Sequence, residues 1–72
     1  MEIGEIQKGK DKIIVTVKEF KGKQYIDLRT YFQNDDGEWI PTKKGISLTP
    51  DNIDDMIGFL QKAKKTAPVK EE

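Results

Sequence analysis

The sequence has 72 residues, with 13 Lys and Arg balanced by 13 Asp and Glu, and it contains neither His nor Cys. Those absences exclude disulfide frameworks, thiolate nucleophiles, iron–sulfur and Cys-based zinc sites, and imidazole ligands or proton shuttles. A binding protein is expected rather than an enzyme, with no cofactor and no metal. This length supports one domain, whose core supplies about 3–5 kcal/mol unless something reinforces it. With covalent and metal staples gone, oligomerisation is the reinforcement left.

Four stretches carry strand character. Met1 to Lys8 is the weakest, because Ile3 and Ile6 are out of register with each other. Lys12 to Phe20 (KIIVTVKEF) is dense in Ile, Val and Thr and reads as a strand ending near Gly22. Lys23 to Gln33 is the third. Asn34-Asp35-Asp36-Gly37 then signals a hairpin, since Asp-Gly tolerates the positive φ angles of a two-residue turn. Glu38 to Leu48 returns as a fourth strand, with Pro41 and Gly45 making its first half irregular and Ile46 to Leu48 its paired part. Connections this short make an antiparallel meander.

Thr49 suits a helix N-cap and Pro50 the first helical position, while Asp51, Asp54 and Asp55 complement the positive end of the dipole. Ile53, Met56, Ile57 and Leu60 follow helical spacing, and Phe59 and Ala63 widen the apolar stripe to about 160°. That is more than one small sheet needs. Half of the stripe is expected to cover the chain's own sheet and the rest, Met56, Phe59, Leu60 and Ala63, to meet a second copy across a two-fold axis. The fold class is thus α+β, a four-stranded antiparallel meander with one C-terminal helix, as a homodimer. The domain covers residues 1–65; residues 66–72 (TAPVKEE) lack periodicity and are expected to be disordered.

Zero net charge conceals segregation. Between Lys8 and Lys23 stand six lysines against Asp11 and Glu19, and Lys43-Lys44 lies close by in the meander. The acids gather at Asp35, Asp36 and Glu38 and at the helix start. A basic sheet face is what a phosphate-backbone binder presents, although Lys-rich strands also serve to block edge aggregation. Asp35, Asp36 and Glu38 lack the spacing of a calcium loop.

Alternation puts Ile13, Val15 and Val17 with Ile26 and Leu28 on the face expected to be buried. The outward face then carries Ile14, Thr16, Lys18 and Phe20 of the second strand and Lys23, Tyr25, Asp27, Arg29 and Tyr31 of the third. Phe32 falls on the buried parity and reaches the basic face only if a bulge near Thr30-Tyr31 resets the alternation, so Tyr31 and Phe32 compete for one role. Rings among cations on an open sheet suit unpaired nucleic acid, whose bases stack while lysines track the phosphates. RNA is an alternative partner, because stacking is indifferent to the sugar. Trp39 reads equally well as a core or a surface ring.

Lys18 to Phe32 (KEFKGKQYIDLRTYF), the Asp36-Gly37-Glu38-Trp39 turn and Lys43 to Pro50 (KKGISLTP) together resemble the DNA-binding domain of the transcriptional positive cofactor four family, in its stand-alone bacterial YdbC-like form. The resemblance runs from about Ile13 to Lys64. It implies a homodimer that binds single-stranded DNA, largely without sequence preference, in support of transcription, replication or repair. The family's stacking aromatics fall on Phe20 and Phe32, which favours the bulge, and its basic contacts on Lys18, Lys21, Lys23, Arg29, Lys43 and Lys44. A protein-interaction adaptor of the transcription machinery is the other reading, using the acidic helix start and Trp39-Ile40. No apolar run spans a membrane, and Met1 to Glu5 has neither the basic start nor the apolar core of an export signal. A soluble cytoplasmic protein is expected, nucleoid-associated if bacterial.

Overall fold

Strands rich in β-branched residues and three short turns build a four-stranded antiparallel sheet in the order β1-β2-β3-β4, followed by a single helix. The computed structural model describes residues 1–67. β1 spans Glu2–Lys8, β2 Asp11–Phe20, β3 Lys23–Gln33, β4 Trp39–Leu48 and α1 Pro50–Thr66. The α+β meander is as expected. The helix takes Thr66 from the expected tail; residues 68–72 of that tail lie outside the described residues. Among the described residues no helix is long and apolar enough to cross a membrane.

Each irregularity in the sequence has a local cause. Ile3 and Ile6 disagree in register because β1 pairs Glu2 with Thr16 but Gly4 with Val15, so an extra residue at Ile3 resets the alternation. The two-residue turn with positive φ at both positions is Lys21-Gly22, at φ 53° and 78°. The Asn34–Glu38 hairpin, expected to use that geometry, instead closes a longer loop. Gly37 N–H donates to the Asn34 carbonyl, Asn34 Oδ1 accepts from Asp36 and Glu38 N–H, and only Gly37 takes positive φ, at 84°. Asn34 thus caps its own turn, which makes three loop residues better than two.

β4 is paired at both ends, contrary to the expectation that only Ile46 to Leu48 would be. Leu48, Ser47, Ile46 and Gly45 oppose Ile26 to Arg29, and Pro41, Ile40 and Trp39 oppose Tyr31 to Gln33. The irregularity lies between, where Thr42, Lys43 and Lys44 face Thr30 alone. Pro41 is tolerated because β4 is an edge strand. Gly45 is required by close approach: a Cβ there would stand 2.6 Å from the Leu28 carbonyl oxygen and 2.9 Å from Arg29 Cα.

Register places Ile13, Val15, Val17, Ile26 and Leu28 on one face, as expected, and adds Ile6, Ile46 and Leu48 to it. Yet that face is only partly covered, with Ile6 63% and Ile46 50% exposed. The two buried residues among those described, Ile14 and Asp27, lie on the opposite face. The helix explains the reversal. Half of its apolar stripe was expected to cover the chain's own sheet, but the helix touches the sheet substantially only at β3 and has no fully buried residue. Ile57, Phe59 and Leu60 stay about half exposed or more. The radius of gyration, 14.2 Å, exceeds the roughly 11 Å of a compact chain of this length.

Because the backbone of β3 cannot recede from a methyl group at position 45, Gly45→Ala is expected to cost about 1–3 kcal/mol, lowering the thermal midpoint by roughly 5–15 °C. Calorimetry checks this, and an unchanged midpoint would contradict the tight β3–β4 approach.

Candidate nucleic-acid interface

On the face that buries Ile14, the register sets Lys12, Thr16, Lys18 and Phe20 of β2 beside Tyr31, Asp27, Tyr25 and Lys23 of β3. Its centre is a carboxylate. Asp27 is 1% exposed and accepts from Arg29 Nε at 3.1 Å and Nη2 at 3.0 Å, a two-pronged fork, and from Ser47 Oγ of β4 at 2.9 Å. Lys18 Nζ stands 3.8 Å away. The Thr16 hydroxyl across from Asp27 is buried without a partner. The Arg29 fork, helped by Ser47 and Lys18, holds the Asp27 carboxyl below its ordinary pKa of 3.8 against the opposing effect of burial. Arg29 is raised in turn by Asp27.

Arg29, expected to meet phosphate, spends three of its N–H groups inside the protein, the third donating from Nη1 to the Thr42 carbonyl at 2.8 Å. Lys18 leans on the same carboxylate, and Lys12 pairs with Glu5 at 3.1 Å while its ammonium lies 4.4 Å from the Trp39 ring centroid. Trp39 is accordingly half-buried. Among the described residues Lys21, Lys23, Lys43 and Lys44 make no ion pair and are exposed. Unpaired charge among the expected contacts therefore sits at the β2–β3 turn and in the β4 bulge, and Lys8 and Lys10 add exposed, unpaired charge at the β1–β2 turn.

The rings separate likewise. Phe20 is 62% exposed at the β2–β3 turn, with Lys21 Nζ 5.4 Å from its centroid. Phe32 is 41% exposed at the far end of β3, roughly 30 Å along the strand from Lys23, the partner of Phe20. The β2–β3 register runs unbroken from Lys12–Tyr31 to Phe20–Lys23. The bulge proposed near Thr30-Tyr31 thus belongs to β4, and the alternation in β3 is never reset. Tyr31 keeps the parity of Phe20 but is half-buried between Lys12 and Pro41; Phe32 keeps the other parity and is exposed. One chain does not bring Phe20 and Phe32 together.

Of the residues expected at a dimer seam, Phe59, Leu60 and Ala63 are exposed and Met56 is half-buried. The expectation missed Asp27, whose burial no alternation pattern signals. Its clue was an acid flanked by Ile26 and Leu28 in a strand whose other charges are basic. No group of three or more His, Cys, Asp or Glu side chains that could hold a metal occurs among the described residues.

Residues 7–58 match the family described as Transcriptional Coactivator p15 (PC4). The chain is similar to the RNA polymerase II transcriptional coactivator KELP of Arabidopsis thaliana, 54% identical over 54% of this chain and 23% of that protein. It is also similar to the RNA polymerase II transcriptional coactivator SUB1 of Saccharomyces cerevisiae, 46% identical over 68% of this chain and 17% of that protein. The chain thus spans less than a quarter of either relative's length. Among solved structures, a PC4 homologue from Burkholderia pseudomallei matches with a TM-score of 0.84 and 29% identity, over 89% of this chain and 88% of that one. A bacteriophage T5 homologue of PC4, implicated in recombination-dependent DNA replication, shares the fold with a TM-score of 0.74 and 23% identity, over 93% of this chain and 78% of that one.

A depressed folded pKa makes the Asp27 contribution complete above the unfolded value and lost as pH falls through the folded one. The thermal midpoint is therefore expected to hold above about pH 5 and to fall below about pH 4. Asp51, lowered chiefly by the Thr49 hydroxyl, adds a smaller, exposed component in the same window. Asp27→Asn should lower the midpoint at pH 7 and flatten its acid decline. An identical acid slope in the variant would assign that titration to other groups.

Proposed function

As the chain belongs to the Transcriptional Coactivator p15 (PC4) family, we propose that it is a homodimer that binds single-stranded DNA through stacking and phosphate neutralisation, largely without sequence preference. The observation that carries this reading is Phe20. A large ring more than half exposed, fixed on a tight turn beside Lys21 and Lys23, lowers no folding free energy where it stands. Stacked on a base it contributes about 1–3 kcal/mol. Lys21 reinforces the point, since a non-glycine residue at φ 53° carries backbone strain of about 1 kcal/mol, which its charge at the binding edge offsets. Phe32 serves as the second ring at the far end of β3, with Lys43 and Lys44 of the bulge tracking the backbone. Lys18 and Arg29 assist from the centre, and Tyr31 supports the sheet.

The dimer follows from what one chain leaves open. Ile57, Phe59 and Leu60 on the helix and Ile6 and Ile46 on the sheet are about half exposed or more, and burying the remainder of each against a second copy is worth about 1–2 kcal/mol. Met56 and Ala63 complete the helix seam. The reading is one of binding, with neither cofactor nor catalysis, in transcription, replication or repair, and transcription proteins are further partners.

Fluorescence titration with oligo-dT is expected to show salt-dependent binding, with a log–log slope of about −3 per protomer for one phosphate neutralised by each of Lys21, Lys23, Lys43 and Lys44. Phe20→Ala should weaken it by about 1–3 kcal/mol, roughly five- to hundred-fold in Kd. Duplex DNA should bind more weakly, and RNA of equal length distinguishes the two single-stranded partners. Absence of binding at low salt overturns the proposal. By sedimentation the wild type is expected to be a dimer and Phe59→Glu a monomer; a monomeric wild type would remove the helix seam.

A further inference from the structure

We propose that Asp27 is a positioning residue of the interface: a carboxylate on a phosphate-binding face that strengthens binding by fixing the β4 bulge that carries Lys43 and Lys44. The inference rests on the single-stranded DNA reading above and names how that site is held. Ladder pairing lapses between Gly45–Arg29 and Pro41–Tyr31, so the residues between need other anchors. The structure supplies them on both sides of the gap. Ser47, beyond the lower side, donates to Asp27 Oδ1. Arg29, locked by the same carboxylate, donates from Nη1 to the Thr42 carbonyl on the upper side. Thr42 passes the constraint on, because its hydroxyl donates to the Thr30 carbonyl at 2.7 Å and accepts from Lys44 N–H at 3.1 Å. Asp27 thus reaches the backbone of Lys44 through Arg29 and Thr42, and Lys43 is enclosed between the two fixed residues.

The alternative role for a carboxylate at this place is competition, in which it neutralises Arg29 and Lys18 and keeps them from phosphate. The two roles predict opposite signs. Removing the charge with Asp27→Asn makes the face more positive, so competition predicts tighter binding and a steeper salt slope. Positioning predicts weaker binding and a shallower slope despite the added positive charge. Loss of one or two phosphate contacts at 0.15 M salt corresponds to about four- to fifteen-fold in Kd, and to a slope nearer zero by about 0.7–1.4.

The test titrates oligo-dT against the intact chain and its Asp27→Asn, Arg29→Lys and double variants, with the thermal midpoint of each recorded. Asp27→Asn is expected to bind about four- to fifteen-fold more weakly, with faster amide exchange at Lys44. Arg29→Lys, which keeps the charge but loses the fork, should weaken binding comparably. The double variant should bind no more weakly than either single, since both act through one path. Equal or tighter binding by Asp27→Asn, or additive losses in the double variant, overturns the proposal. Should Asp27→Asn fail to fold, Arg29→Lys carries the test, and its binding like wild type is the overturning result. A wild type that does not bind single-stranded DNA defeats the functional reading as well, whereas wild-type binding that the variants leave unchanged defeats this inference alone.

Discussion

The buried carboxylate of Asp27 is the constraint around which the sheet is organised. An ionised acid removed from water costs several kcal/mol unless its lone pairs are filled by donors of good geometry. Here the donors come from two strands: the Arg29 fork on β3 and the Ser47 hydroxyl on β4, with Lys18 of β2 close by. Satisfying one acid therefore ties three strands. It also explains why β4 stays attached on both sides of its interruption, and why Gly45, opposite Arg29, has no room for a side chain.

The same constraint sorts the cations. Lys12, Lys18 and Arg29 are drawn into internal pairs, while Lys21, Lys23, Lys43 and Lys44 are left to solvent at a turn and a bulge. A net charge of zero is thus compatible with local positive potential, because six of the 13 acids stand at the Asn34–Glu38 loop and the helix start and Glu5 and Asp27 are spent on structural partners. Only the unpaired lysines retain a full share of Coulomb attraction for a polyanion.

Much of the fold was legible because it rests on local rules. Strand order, the Lys12–Phe20 strand, the helix start at Pro50 and the apolar parity of Ile13, Val15 and Val17 follow from β-propensity, turn residues and period alone. What was illegible depends on tertiary choices. Asn34 converts the Asp-Gly turn into a longer loop by accepting two backbone N–H groups. The bulge that the Tyr31/Phe32 ambiguity called for is in β4, where a strand-by-strand reading of β3 cannot see it. The more deeply buried face was misassigned because alternation reports which side chains are apolar, whereas burial depends on what covers them. Asp27 is covered by its own partners, while the apolar face awaits a second layer that one chain does not supply.

That missing layer connects stability to function. The sheet offers one face to polar chemistry and Phe20 and the other, with the exposed stripe of α1, to apolar burial, so the two proposed tasks compete for a ring only at Phe32, which keeps the apolar parity. The separation has an energetic consequence. A chain whose helix has no fully buried residue would gain further core by the proposed association, and its folding would then depend on protomer concentration. Association would also join two sets of Phe20 turns and lysine bulges in one particle, so that a strand bound at one set meets the second at an effective concentration set by the dimer geometry. On the proposed reading, symmetry would give a small domain with few basic contacts the affinity that a single copy could reach only with a strongly basic composition.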